Sequence, residues 1–365
     1  MLPLLHLPIP AFDCLYKFFD VPDIILLAQC SKRLKTIIRD QEGPRNKRLL
    51  CVSIRKEQIL ITVQENKEIP KKAFTWTLGE DIDDLEFMDQ TVENTTWKVA
   101  KITDNFYGGW LSVPEPGALE SSFLTLLKMF QNIFKIPIHR LHYDFRSDAS
   151  FAKLFRETAV LRGAKKIEIG PSAIFPPEMS FILEHFTTEN LTIQGYSGRK
   201  YSYNGPLNYS KVRISCATWM TPEAFLTLAS TCKHMELESA IQISDIALNQ
   251  FIKDWMAGEN KTLEFIKVSR KLSYHITNYR NPTDTTPPLD RAVILEGIEH
   301  IPGVKKRPDA TKYNSSFYKY ENGVDIRRAD GLMATVLVEQ ESFSAGFLFT
   351  VWYDKEPNLV EPIVN

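Results

Sequence analysis

A three-residue pattern, apolar-polar-apolar, returns six times in the middle of this chain and limits what it can fold into. The copies are Leu141-His142-Tyr143, Ile167-Glu168-Ile169, Leu191-Thr192-Ile193, Val212-Arg213-Ile214, Met235-Glu236-Leu237 and Leu263-Glu264-Phe265. Successive copies begin 26, 24, 21, 23 and 28 residues apart. In an extended segment this alternation buries one face and sends the middle side chain to the other. Between the copies lie segments with a helical period, around 151–162, 178–186, 222–230 and 246–255. Strands and helices alternating at this length wind right-handedly into a parallel sheet.

The remaining chain divides around this region. Residues 1–42 read as three short helices: an apolar opening through Pro3, Leu4, Leu5, Leu7 and Pro8, a face of Phe12, Leu15, Phe18 and Phe19, and a break at Asp20 to Asp23. Pro22 suits a helix start, with Asp23 complementing the positive end of its dipole. Ser31 is the expected cap of a third helix carrying Leu34, Ile37 and Ile38. Residues 43–136 carry β-forming runs at 50–54, 59–64, 74–78 and 97–102, read as antiparallel strands, followed by an amphipathic helix over 122–135. Residues 137–270 hold the strand-helix repeat. Its spacing is close to the leucine-rich-repeat range without that family's Asn or Cys ladder, so it is read as leucine-rich-repeat-like, an ordinary α/β sheet being the alternative. Residues 271–365 read as a loop and a β-meander, with Asn322-Gly323 and Asp330-Gly331 turns between strands at 317–321, 324–329 and 332–338, and a further strand at 346–353. The fold class is thus multidomain, α/β and α+β: a short three-helix module, antiparallel strands, a strand-helix arc and C-terminal antiparallel hairpins.

Three helices in so few residues cannot build a sufficient core, because domains below about 40 residues usually need a metal, disulfides or a partner. The five cysteines, Cys14, Cys30, Cys51, Cys216 and Cys232, contain no C-x-x-C pair, which argues for reduced thiols and against a disulfide framework or thiolate zinc site. A partner is therefore expected, a helical cap folded onto the rest of the chain being the alternative. The apolar start has no basic stretch ahead of it and is interrupted by Asp13 and Lys17, unlike a signal peptide. No apolar run reaches the ~18 residues of a membrane helix. The expected location is cytoplasmic, nuclear or both.

Chemistry-bearing patterns are sparse. His139 and His142 would sit on opposite faces of a strand, and His142 with Asp144 reads as a solvated pair. Gly108-Gly109 and Gly195-x-x-Gly198 match no phosphate loop and read as tight turns. The acidic run Glu80 to Asp84 lacks calcium-loop spacing. The basic stretch Lys32 to Arg48 and the cluster Lys305-Lys306-Arg307 read as solvated faces rather than nucleic-acid sites, and a net charge of -1 gives no global pull toward nucleic acid or membrane. Trp219, Phe225, Phe251 and Trp255 read as core. No cofactor, metal or catalytic residue is expected.

The order Leu-Pro, Asp20 to Asp23, then Leu26-Leu27-Ala28-Gln29-Cys30-Ser31-Lys32-Arg33-Leu34-Lys35 resembles an F-box. The stretch Lys211 to Val268, with Thr221-Pro222-Glu223-Ala224-Phe225 and Phe251 to Gly258, is similar to the F-box-associated domain of type 2 found with F-boxes in nematodes, about residues 205–270. Asp325 to Gly331 and Phe349-Thr350-Val351-Trp352 resemble the tail of the same family. The resemblance implies a substrate-recognition subunit of a Skp-cullin-F-box ubiquitin ligase, with no catalysis of its own. It implies that a Skp-family adaptor, and through it a cullin, is held by Pro3, Leu4, Leu5, Leu7, Pro8, Phe12, Leu15, Phe18, Phe19, Leu26, Leu27, Cys30 and Leu34. The middle residues of the repeat, His142, Glu168, Thr192, Arg213, Glu236 and Glu264, are the candidate target-binding row, a mostly acidic set suited to a positively charged patch. Solvation of the sheet, with Arg213 pairing Glu236, is the competing reading. A non-degradative F-box scaffold and an unrecognised α/β hydrolase remain alternatives.

Overall fold

A computed structural model describes residues 8–16, 19–42, 48–55, 58–65, 73–79, 85–92, 95–103, 108–115, 117–144, 154, 156, 158–171, 173–195, 201–203, 205, 207–270, 288–303, 322–339 and 346–353. The chain forms two compact units, Met1–Gly170 and Pro171–Asn365, dividing inside the stretch that the repeat spacing runs through.

The first unit begins with α1 (Ile9–Tyr16), α2 (Val21–Cys30) and α3 (Lys32–Glu42). Six strands follow: β1 (Arg48–Ile54), β2 (Ile59–Glu65), β3 (Ala73–Leu78), β4 (Phe87–Val92), β5 (Thr95–Thr103) and β6 (Gly108–Ser112). Then come α4 (Leu119–Phe134), β7 (Ile138–Tyr143), the single turn α5 (Ala159–Arg162) and β8 (Lys166–Ile169). Across the sheet the order is β8-β7-β1-β2-β3-β6-β5-β4. Antiparallel pairing was the expectation for residues 43–136, and β1-β2, β2-β3, β4-β5 and β5-β6 obey it. The pairs β3-β6, β1-β7 and β7-β8 are parallel.

Helix α4 covers this sheet with Phe123, Leu126, Leu127, Phe130, Ile133 and Phe134, all buried. Each such side chain contributes roughly 1.5–3 kcal/mol when fully removed from water. The centre is aromatic: Trp76 meets Trp110 edge-on at 4.9 Å, Trp97 at 5.6 Å and Phe130 at 6.2 Å, and its indole N–H donates to Ser112 Oγ at 2.9 Å. The helix stops at Lys135, whose φ of 52° is left-handed, just before Pro137.

Gly108-Gly109 is not the expected turn. Gly109 lies in β6 opposite Thr75, and a Cβ there would fall 2.6 Å from the Thr75 carbonyl oxygen. Close approach of two backbones, rather than a reversal of direction, accounts for glycine at this position.

The second unit contains α6 (Pro176–His185), β9 (Asn190–Ile193), β10 (Lys211–Ile214), α7 (Pro222–Thr231), β11 (His234–Leu237), α8 (Asp245–Ala257) and β12 (Phe265–Val268). It continues with α9 (Arg291–Ile294), β13 (Ile301–Pro302), β14 (Val324–Arg327), β15 (Met333–Glu339) and β16 (Gly346–Trp352). The order is β13-β14-β15-β16-β12-β11-β10-β9. Strands β9 to β12 are mutually parallel, as the repeat predicts, and β16 joins β12 antiparallel, which makes the sheet mixed.

The expected strand at 263–265 is displaced to Phe265–Val268. Leu263, Phe265 and Ile266 are all buried, so alternation could not fix the phase there. Thr221 and Ser244 cap α7 and α8 through bonds from Ala224 N and Ala247 N, both 3.2 Å. Trp219, Phe225, Phe251 and Trp255 are buried as expected, although Trp219 precedes α7. The expected strand at 317–321, the acidic run 80–84 and the cluster 305–307 lie outside the described residues.

Candidate functional site

The N-terminal helices are capped as their sequence requires. Leu34 N donates to Ser31 Oγ at 3.1 Å, and the Asp23 carboxylate accepts from Asp20 N at 3.3 Å. Helix α2 buries Val21, Ile24, Ile25 and Ala28, and α3 buries Leu34 and Ile38. Helix α2 packs on α3 and touches β3 and β4, while α3 packs on α4. The three helices thus obtain part of their missing core from their own chain. Arg48 reinforces the joint, donating to the Tyr16 hydroxyl at 2.8 Å and lying 5.3 Å over its ring. Burial pushes the Tyr16 phenol up to about 12 against the pull of that guanidinium.

This packing sorts the residues expected to face an adaptor. Leu26 is 39% exposed, Pro8 and Cys30 are exposed, and Phe19 and Leu27 are half-buried. Phe12 and Leu34 are not surface residues: they lie inside the unit, Phe12 stacked on Tyr16 at 6.1 Å, and hold the bundle together. Leu15 lies on α1, with its side chain outside the description; Pro3, Leu4, Leu5, Leu7 and Phe18 lie outside the described residues.

The candidate target row splits between the two units. In the first, His142 on β7 stands in register with Glu168 on β8. The Glu168 carboxylate takes Lys166 at 2.8 Å, Arg140 at 3.3 Å and His142 at 3.9 Å. Burial would raise the pKa of Glu168, but these cations outweigh it and hold it below the ordinary range; burial lowers that of His142. In the second unit, Thr192, Arg213 and Glu236 are successive rungs, and the next rung is Lys267. Glu264 precedes β12 and pairs with Lys233 at 2.8 Å, so it is not in the row. Arg213 lies 3.7 Å from Glu236 and 3.8 Å from Glu238, and His234 Nε2 lies 2.9 Å from Glu236. The hydrogen bond from His234 leads the effects that hold Glu236 below the carboxylate range. The second unit's ladder alternates in sign, correcting the expectation of a mostly acidic face.

Sequence reasoning missed two buried polar hubs in the second unit. Asn260 Nδ2 donates to the carbonyls of Ala229 at 2.7 Å and Cys232 at 2.8 Å, and its Oδ1 accepts from Thr262 N at 2.9 Å and Leu263 N at 3.0 Å. Arg328 grips Asp330 bidentately at 2.7 and 2.9 Å, donates to the Asn260 carbonyl at 2.9 Å and lies 5.2 Å over the Trp255 ring. The Asp330-Gly331 turn signal is the one local cue to this second hub.

Among the described residues, no group of three or more His, Cys, Asp or Glu side chains could hold a metal ion. Buried Cys232 donates to the carbonyls of Ser210 and His234, and burial pushes its thiol up to about 12, far from a reactive thiolate. No described helix is long and apolar enough to cross a membrane.

Comparison with known proteins places the modules. Residues 4–46 match the F-box domain family and residues 201–268 the family described as F-box associated. Two curated Caenorhabditis elegans relatives, uncharacterized protein F59B2.8 and uncharacterized protein F59B2.9, are each 21% identical over 97% of this chain, covering 78% and 80% of their own lengths. No solved structure matches the chain. The F-box match spans α1 to α3, and the F-box-associated match runs from Tyr201 through β10, β11 and β12. The chain therefore carries, in order, a segment that matches the F-box domain and one that matches the F-box-associated family, the pairing expected from the resemblance to nematode-type F-box proteins.

Proposed function

We propose that this chain is the substrate-recognition subunit of a Skp-cullin-F-box ubiquitin ligase. The observation that carries the reading is an F-box followed by an F-box-associated domain on one chain. The adaptor contacts the outward side of the N-terminal helices, through Leu26, Leu27, Cys30, Phe19 and Pro8. Leu4, Leu7 and Phe18, expected from the sequence to join that contact, lie outside the described residues. The adaptor recruits a cullin, and ubiquitin transfer to a bound target becomes effectively intramolecular. The chain supplies positioning rather than a catalytic group.

Target capture involves the polar ladder of the second unit, Thr192, Arg213, Glu236 and Lys267, as the ligand-facing side of a leucine-rich-repeat-like arc. Its alternating charges suit a partner of mixed sign. Titration of a purified Skp-family adaptor tests the adaptor arm. Stabilisation of interacting proteins in cells lacking this chain tests the degradative arm, and unchanged lifetimes for all of them would sink it.

A further inference from the structure

Among the described residues, strand β4 ends the first unit's sheet and pairs with β5 alone, from Val92 opposite Thr95 to Phe87 opposite Ala100. In an antiparallel pair, residues alternate between those that exchange backbone bonds with the partner and those whose N–H and C=O point outward. Two residues separate Val92 from Thr95, so the hairpin closes on a bonded pair. Counting back, Gln90 and Met88 bond to β5, while Thr91, Asp89 and Phe87 direct their backbone groups away from the sheet. The Thr91 and Thr96 hydroxyls meet at 3.1 Å, consistent with the closer side chains of a non-bonded pair. Gln90 Nε2 reaches the Thr91 carbonyl at 3.4 Å, a long bond supplied by a side chain. Met88 is 46% exposed, and Asp89 and Thr91 are exposed. The six residues contain neither Lys nor Pro, two common protections of an edge.

We propose that the free edge of β4 captures the target by strand addition, pairing antiparallel with an extended segment whose central residue is basic. This rests on the reading of the chain as a substrate receptor. Asp89 selects the occupant. If a second copy paired through β4 across a two-fold axis with Phe87 to Thr91 fully overlapped, the two Asp89 side chains would stand directly opposite each other, and like charges so placed repel. A lysine or arginine there is attracted, as Lys98 already stands opposite Asp89 on the other side. Backbone bonds supply the affinity and Asp89 the discrimination.

The test uses the full chain and two capped pentapeptides, Thr-Val-Lys-Val-Thr and Thr-Val-Glu-Val-Thr, followed by amide hydrogen exchange. In the free chain the Phe87, Asp89 and Thr91 amides should exchange rapidly and those of Met88 and Gln90 slowly. The lysine peptide should slow the first three and bind about fivefold more tightly than the glutamate peptide, a preference that Asp89→Lys reverses. Slow exchange at all five amides in the free chain, accompanied by dimer in sedimentation, would assign the edge to a second copy and overturn the proposal. Failure of the lysine peptide to protect these amides at saturating concentration would overturn it as well. Adaptor titration of the same sample separates that failure from failure of the receptor reading.

Discussion

The F-box helices and the F-box-associated region solve the problem of stability in opposite ways. Helices α1 to α3 are short, bury one stripe each and lean on α4, β3 and β4, leaving Leu26 and Cys30 outward. The F-box-associated region is built into the larger framework of the second unit, where β12 pairs with β16 and Phe251 and Trp255 pack on Phe349. Its strands alternate between buried and more exposed positions, its helices bury Phe225, Phe251 and Trp255, and Asn260 satisfies two carbonyls and two backbone N–H groups. The first is suited to completion by another surface. The second is suited to holding a fixed framework.

If the second unit is a fixed framework, the buried polar hub in its associated region should be costly to remove. Asn260→Ala leaves four backbone groups without their partner, each worth about 1–3 kcal/mol when stranded. Allowing for water entry, we expect a loss of about 3 kcal/mol or more in chemical denaturation. A loss below about 1 kcal/mol would place the framework's strength elsewhere.

The F-box should respond differently, in binding more than in folding. Leu26→Glu changes a residue that is 39% exposed, so the midpoint of unfolding should barely move. Adaptor affinity should fall at least about tenfold, roughly 1.4 kcal/mol, because a carboxylate then enters an apolar contact. Unchanged affinity in the folded variant removes Leu26 from the interface. Ser31→Ala deletes the α3 cap and should cost about 1 kcal/mol of stability in the first unit. An unchanged unfolding midpoint would show that the cap contributes nothing measurable.

The smallest effect concerns pH. Arg328 and two backbone N–H groups hold the Asp330 carboxyl down, from 3.8 to about 2. A depressed carboxylate contributes stability that is present above its unfolded pKa and is lost as pH falls through the folded value. The second unit should therefore lose a component of its stability between about pH 4 and pH 2, and Asp330→Asn should lack that component. Identical acid profiles for parent and variant would show the pair to be energetically idle.

Strands β7 to β11 were legible because one face of each is buried and the alternation fixes register. Phase was lost at β12, where Leu263, Phe265 and Ile266 are all buried. Strands β4 and β6 were illegible for other reasons. Phe87 to Val92 mixes exposed Met88 with Asp89 and Gln90, and Gly108-Gly109 carries the composition of a turn although Thr75 demands a glycine in a strand. Asn260 gave no local signal and Arg328 only that of the Asp330-Gly331 turn, since their long-range bonds reach partners 28, 31 and 68 residues away. At the F-box, the starts of α2 and α3 were readable from Asp23 and Ser31. Which apolar residues stay outward was not, because burial of Phe12 and Leu34 depends on how the bundle folds and packs within the first unit.

The most direct measurement is calorimetric titration of a purified Skp-family adaptor into the full chain, beside Leu26→Glu and Asn260→Ala proteins verified as folded under the assay conditions. The account predicts a saturable one-to-one complex, weakened at least about tenfold by Leu26→Glu and unaffected by Asn260→Ala. Absence of binding by the folded parent chain would contradict it.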